Sequence, residues 1–431
     1  MLRPLTLLAV GGLLAACPSS STPVAPDEGP PPATVAPAQD TAVSAAPDTA
    51  PAAPTAAADP GAAKTAAAAN NAFGLALYEQ VRVGEGNRFF SPISLSTALA
   101  MTSLGAAGDT EKELRAALRL PDAGAHEAFA ALQAGLEKDR GDDATLTVAN
   151  RLWGHQGYEF LDSFVTATKA HYGAGLERVD FAATEAARQT INRWISEKTA
   201  EKIPELLPEG LLTDQVRLVL TNAVYFKGDW ELAFDAGDTR PAPFAVSADK
   251  TVEAQLMFRK ARFEYAEDER VQVIAMPYQG ADLSMVVVLP KAKDGLAAVE
   301  ATLAEDLPKW MDQLGAREIA TYFPRFEMRA KAQMNDALKA LGVEQAFSMS
   351  ADFSPMSGKK DLYLSAVVHE AYVKVDEKGT EAAAATAAIV AVKGISVPTV
   401  FRADHPFFFA IRDERSGALL FVGRVVDPTA G

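Results

Sequence analysis

Apolar side chains recur every four residues at Phe73, Leu77 and Val81, the spacing of one helix face, and predict a helix over 70–83. Ser91-Pro92 opens a second helix. Ser accepts hydrogen bonds from a first turn, and Pro fits the first helical position because its missing N–H leaves no bond unmade. That segment stays apolar on most sides to about residue 105, the pattern of a buried helix. Residues 218–226, LVLTNAVYF, are apolar on both faces, as in a strand covered on both sides. Residues 271–276 and 283–289 are further strand candidates. Residues 407–411 and 419–425 flank Asp413-Glu414-Arg415-Ser416-Gly417, a hairpin pattern. Helices early, strands late and both mixed throughout indicate an α+β domain. No internal period suggests repeats.

The N-terminal stretch has another character. Residues 1–17, MLRPLTLLAVGGLLAAC, carry one Arg and then an apolar run too short to span a bilayer, which takes about 20 residues. The pattern fits a secretory signal. Its end, Leu14-Ala15-Ala16-Cys17, resembles a bacterial lipoprotein cleavage box, which implies lipidation of Cys17 and an exported protein anchored to the cell envelope. Pro18 stands where an inner-membrane retention signal would place Asp, so the expectation is the outer membrane, facing the periplasm or the surface. An ordinary signal peptide with an incidental Cys is the alternative. Residues 18–69 are dominated by Ala, Pro, Ser, Thr, Asp and Gly without aromatics. They read as a disordered linker, because such a segment cannot offset its ordering entropy by burial. The globular domain is expected over 70–431.

Composition narrows the function. With 48% hydrophobic and 23% charged residues, most of the chain can bury a core. A net charge of −15 with no Lys/Arg run excludes a phosphate-neutralising face, so no nucleic-acid partner is expected. Cys17 is the single cysteine, which rules out an intrachain disulfide and a Cys-cluster metal site. The five histidines, 126, 155, 171, 369 and 405, form no HExxH. No GxSxG elbow or Walker loop is present, and no Asp/Glu pair is singled out by spacing. No metal or cofactor is expected, and the chain is expected not to be an enzyme.

The informative segment is 369–394. His369, Ala371, Val373 and Val375 alternate with Glu370, Tyr372 and Lys374, as in a strand. A turn, Asp376-Glu377-Lys378-Gly379, leads into the small residues Thr380 to Thr386, and a β-leaning run ends at Lys393-Gly394. On propensity alone the Ala run is a helix.

Longer motifs place this segment in context. Asn87-Arg88-Phe89-Phe90-Ser91-Pro92-Ile93-Ser94, then Ala98-Leu99-Ala100-Met101 and Leu104-Gly105-Ala106, lead to Leu220-Thr221-Asn222-Ala223-Val224-Tyr225-Phe226-Lys227-Gly228-Asp229-Trp230, with Phe234 and Thr239 beyond. Pro324-Arg325-Phe326, Leu341-Gly342 and Phe401-Arg402-Ala403-Asp404-His405-Pro406-Phe407 follow in order. Over about 70–427 the chain resembles the serpin family.

The resemblance implies mixed β-sheets surrounded by helices, and an exposed reactive-centre loop that a serine protease cuts. The cut loop then inserts into the main sheet and traps the protease covalently, acting as a suicide substrate. The hinge maps to Glu377, Gly379, Thr380, Glu381, Ala382, Ala383, Ala384, Ala385 and Thr386. Thr380, Ala382, Ala384 and Thr386 would face a packed interior, and all are small. Counting seventeen residues from Glu377 puts the reactive bond at Lys393-Gly394, which suits a trypsin-like target; a bond shifted to Val392 would suit an elastase-like one. Ser91, Ser94, Asn222 and His369 map to a polar cluster where the sheet parts, and Trp230 to its upper end. A monomer is expected, without a glycosaminoglycan activator. The alternatives are a serpin-like protein that does not inhibit, a hydrolase on an unrelated fold, and an envelope lipoprotein whose Ala run is a helix.

Overall fold

The computed structural model describes residues 59–137, 144–173, 175–280, 282–380 and 399–430. Cys17, the hinge residues Glu381, Ala382, Ala383, Ala384, Ala385 and Thr386, and Lys393-Gly394 therefore lie outside the described residues.

The first helix is Pro60–Val81, about ten residues longer at its start than the periodicity predicts. The Asp59 carboxylate accepts from the Gly61 N–H at 2.9 Å, Pro60 follows the cap, and the Ala run supplies propensity. Ala66, Ala67 and Ala69 are buried, so residues 60–69 belong to the domain and not to the linker expected over 18–69. Small side chains that contribute no moment still pack closely. The second helix, Pro92–Ser103, starts where expected, with Ser91 Oγ accepting from the Ser94 N–H at 3.3 Å. All twelve of its residues are buried, because it lies between two sheets and touches both.

The smaller sheet has six strands, in the order Phe326–Gln333, Ala366–Val375, Gly379–Thr380, Leu218–Asp229, Ala144–His155 and Leu176–Val179. Leu218–Asp229 is the predicted apolar strand, three residues longer than its run. Both its faces are covered. One joins the main core beneath Pro92–Ser103, with Leu220, Val224 and Phe226. The other packs with Val219 and Ala223 against Ile191 and Ile195 of the helix Thr184–Lys198, and against Leu206 and Leu207 beyond it. The larger sheet has nine strands and contains the predicted pairs Val271–Pro277 with Leu283–Pro290 and Phe407–Asp413 with Leu419–Val425. In the second hairpin the Gly417 N–H donates to the Asp413 carbonyl at 2.8 Å with Gly417 at φ 78°, a left-handed turn that suits glycine.

The C-terminal strand is tied to the first helix through a buried acid. Glu300, 1% exposed, accepts from Tyr78 O–H at 2.6 Å and from Arg424 Nη1 at 3.3 Å, with Arg82 Nη1 at 3.6 Å. Breaking a buried pair leaves an uncompensated charge. Glu300→Leu is therefore expected to cost about 3–5 kcal/mol, read as a lowered denaturant midpoint. Glu79→Gln, which removes only the surface partner of Arg82, should move it by less than about 1 kcal/mol. Equal effects would show that burial of Glu300 confers nothing.

Candidate functional site

Strands Leu218–Asp229 and Ala366–Val375 run parallel and pair directly from Val219↔Ala366 to Tyr225↔Tyr372. Beyond that point they diverge, and Gly379–Thr380 sits between them. Gly379 pairs with Asp229 and Thr380 with Gly228 on one side, and Thr380 pairs with Val375 on the other. The sheet is thus parted at one end and closed at the other.

A tight turn returns the chain into the gap. The Asp376 N–H donates to the Gly379 carbonyl at 2.9 Å, and the Gly379 N–H to the Asp376 carbonyl at 3.3 Å. Gly379 has φ 154°, and a Cβ there would lie 2.1 Å from the Gly228 carbonyl oxygen, so this turn position admits only glycine. Glu377 is 6% exposed and anchors the turn. Its Oε1 accepts from Arg325 Nε at 2.7 Å and also from Arg325 Nη2 and Thr239 Oγ1. Burial pushes this carboxyl up, but the hydrogen bonds from Arg325 and Thr239 outweigh it and hold it below the usual carboxylate range.

Trp230 closes the upper end. Its backbone N–H donates to the Lys378 carbonyl at 2.7 Å, and its indole N–H to the Asp376 carbonyl at 3.0 Å. Its ring stacks on Tyr278 with centroids 4.5 Å apart. Tyr278 O–H and Thr380 Oγ1 share a hydrogen bond of 2.8 Å in the core, where Thr380 is fully buried.

Six residues further along the paired strands lies a polar step, and here the structure brings together Ser91, Ser94, Asn222 and His369. Asn222 Nδ2 donates to Ser94 Oγ at 2.6 Å, and His369 Nδ1 bonds Asn222 Oδ1. The Ser91 N–H donates to His369 Nε2 at 3.2 Å, which makes that nitrogen an acceptor and places the proton on Nδ1. Ser91 Oγ donates to the Leu420 carbonyl at 2.6 Å. His369 is fully buried with both nitrogens engaged, so it cannot exchange a proton with a bound substrate. Burial brings its pKa down to about 3.

Sequence reasoning missed Asn150, whose Oδ1 accepts from Asn222 Nδ2 at 2.5 Å and from Ser94 Oγ at 2.9 Å. It also missed the roles of Tyr278, Thr239 and Arg325. Asn150 carries no local motif, and Tyr278 reaches Thr380 from 102 residues away. Among the described residues no group of three or more His, Cys, Asp or Glu is placed to hold a metal, and no helix is long and apolar enough to cross a membrane.

The family model described as "Serpin (serine protease inhibitor)" matches residues 68–428. The chain belongs to the serpin family of serine protease inhibitors. It is 43% identical over 353 residues to the leukocyte elastase inhibitor of Bos taurus, covering 80% of this chain and 93% of that one. It is 40% identical over 374 residues to the leukocyte elastase inhibitor of Homo sapiens, covering 84% and 98%. The crystal structure of Serpin48, a highly specific serpin of the insect Tenebrio molitor, matches with a TM-score of 0.76 and 31% identity, covering 84% of this chain and 98% of that one. These names correct the expectation that the chain is simply not an enzyme. The family is described by what it does to an enzyme, and these relatives are named as inhibitors, so inhibition of a serine protease replaces that expectation.

The polar step yields a pH prediction. The folded-state pKa of His369 lies below its unfolded value of about 6.5, so protonation favours the unfolded chain. The contribution is whole above about pH 6.5 and is lost as pH falls toward 3, at up to about 1.4 kcal/mol per pH unit. His126, lowered to about 4 chiefly by burial, adds to the same slope. Between pH 6.5 and 4.5, above the usual carboxylate range, unfolding midpoints should fall for the parent chain and fall less steeply for His369→Gln. Parallel slopes would show that His369 does not titrate on unfolding.

Proposed function

We propose that this serpin offers 381–398 as bait to a serine protease, is cut at Lys393-Gly394, and traps the acyl-enzyme by drawing the cut segment into the gap opened by Gly379–Thr380. The observation that carries this reading is the register of those two residues. Partner numbers add to 608 against Leu218–Asp229 and to 755 against Ala366–Val375. Continued inward, that register sets Glu381 between Lys227 and Lys374. Ala382 falls between Phe226 and Val373, and Ala383 between Tyr225 and Tyr372, whose rings stack 6.5 Å apart. Thr386 arrives between Asn222 and His369, so the next polar residue on the face of Thr380 lands on the polar step. Its hydroxyl can both donate and accept there, replacing the bond that insertion breaks. Ile389 reaches Val219 and Ala366, where direct pairing ends.

The driving force follows from the ladder. Each inserted residue exchanges one parallel contact for antiparallel contacts on two sides, and net gains of about 1 kcal/mol per hydrogen bond accumulate along the segment. Cleavage frees the far end to travel. A Lys before the scissile bond suits an acidic specificity pocket, which favours a trypsin-like target. Both relatives above are named for leukocyte elastase, and this favours a second target reading in which the bond follows Val392.

Incubation with trypsin and, separately, with neutrophil elastase tests the reading. A complex of summed mass that survives SDS and heat is expected, and the mass of the C-terminal fragment places the bond after Lys393 or Val392. Cleavage with full protease activity remaining would sink the trapping mechanism. Thr380→Arg puts a charged side chain at a fully buried position and is expected to turn the inhibitor into a cleaved substrate. Glu381→Lys sets like charges beside Lys227 and Lys374 and should raise the fraction cut without trapping by a smaller amount.

Cys17 is proposed, on the Leu14-Ala15-Ala16-Cys17 box alone, as the lipidated N-terminus of an exported and envelope-anchored form, with 18–59 as its tether. In a Gram-negative host, acyl-chain mass on the parent protein and its loss in Cys17→Ser are the expected results.

A further inference from the structure

The strand that takes up the chain after the bait segment carries an apolar patch on its outward face. Thr399–Arg402 starts where 381–398 ends and pairs parallel with Gly315–Pro324, setting Val400 beside Ala320 and Arg402 beside Tyr322. Gly315–Pro324 pairs in turn with Thr251–Glu267, setting Phe258 beside Tyr322 and Lys260 beside Ala320. Alternate residues of a strand and direct partners across strands share a face, so these side chains stand together. The opposite face, with Met257, Phe323 and Phe401, is buried in the main core. Val400 is 49% exposed, Tyr322 and Phe258 are half-buried, and none of the three packs into either core.

The patch has the composition of an interface. The rings of Phe258 and Tyr322 have centroids 4.9 Å apart, and the Arg402 guanidinium lies 4.8 Å from the Tyr322 centroid. Arg402 Nε donates to Asp404 at 3.1 Å, which fixes that stack. The exposed pair Lys260–Glu318, 3.1 Å apart, borders it. A single exposed apolar side chain is ordinary, whereas a cluster of them with a charged rim marks a contact surface. Tyr and Arg are also the side chains that most often anchor one.

Position selects the occupant. Thr399 is six residues beyond Lys393, and an extended residue spans at most about 3.6 Å, so a protease engaged at Lys393-Gly394 works within roughly 22 Å of this strand. A bond after Val392 adds only one residue to that reach. We propose that Val400, Arg402, Tyr322 and Phe258 form a docking surface for the target protease, occupied by the rim of the enzyme on the side of the residues that follow the cut. The rim that fits carries an apolar patch against Val400 and the two rings, with a carboxylate beside Arg402. This inference rests on the bait reading above and adds where the body of the enzyme sits. Thr399–Arg402 lies beyond the cut, whereas the acyl-enzyme is joined to the other end, so the contact acts on encounter and not on insertion.

The test is the second-order rate of the first cut, followed by appearance of the C-terminal fragment whether the enzyme is then trapped or released. It uses the full chain with trypsin and with neutrophil elastase, and is read with whichever cuts the parent faster. Val400→Glu, Tyr322→Ala and Phe258→Ala, each shown by melting to be folded, should each lower that rate by about tenfold, with the trapped fraction unchanged. Phe258 lies two strands away from Thr399–Arg402, so a loss there does not act through the bait. Val83→Ser, at an exposed apolar side chain outside these strands, should leave the rate unchanged. Rates equal to the parent, or an equal fall in Val83→Ser, overturn the docking surface and leave the bait reading standing. Absence of any cut in 381–398 with both enzymes overturns the bait reading, and this inference with it.

Discussion

Strands Leu218–Asp229 and Ala366–Val375 hold one another directly along seven residues and hold Gly379–Thr380 between them at the other end. A sheet cannot be both closed and open along its length without a junction, and the rest of this fold is arranged around that junction. Above it, Glu377, Trp230 and Tyr278 fix the returning chain through backbone carbonyls and one buried hydroxyl. Below it, the direct pairing is of the parallel kind, slightly less stable per residue than the antiparallel pairing of Gly379–Thr380.

The polar step at Asn222 and His369 is the energetic counterpart of that junction. A wholly apolar seam would zip without specificity. Here, parting the strands at this level would break the His369–Asn222 bond between two fully buried side chains, where an unpaired polar group is costly. Neutral His369 suits this place because it donates through one nitrogen and accepts through the other, which lets it link Ser91 of the buried helix to Asn222 of the central strand. Asn150 joins the neighbouring strand to the same bonds, so one helix and three strands share one small network.

The covering of the far face matters equally. Helix Thr184–Lys198 and the residues after it bury Val219, Ala223 and Val368 in a second core. This is why the central strand is apolar on both sides, and why Glu370 and Tyr372 are buried although the alternation of their strand puts them opposite His369 and Ala371. Any widening of the smaller sheet must slide beneath this cover and against the helix Pro92–Ser103 at once.

Local chemistry determined a good deal by itself. The Ser91-Pro92 cap, the apolar run of the central strand and the C-terminal hairpin each follow from a pattern or a bond within a few residues, so they were legible in the chain. The start of the first helix was not, because an Ala-rich segment has the same composition whether it packs or is solvated, and only the neighbours of Ala66 and Ala67 decide. Tertiary structure alone decided that Asn150 completes the polar step, that Tyr278 meets Thr380 and that Arg325 meets Glu377. Those contacts join residues 52 to 102 positions apart, and others such as Ser91 with His369 span 278. A side chain's partner at such separations is set by strand register and layer order, which no stretch of sequence encodes locally.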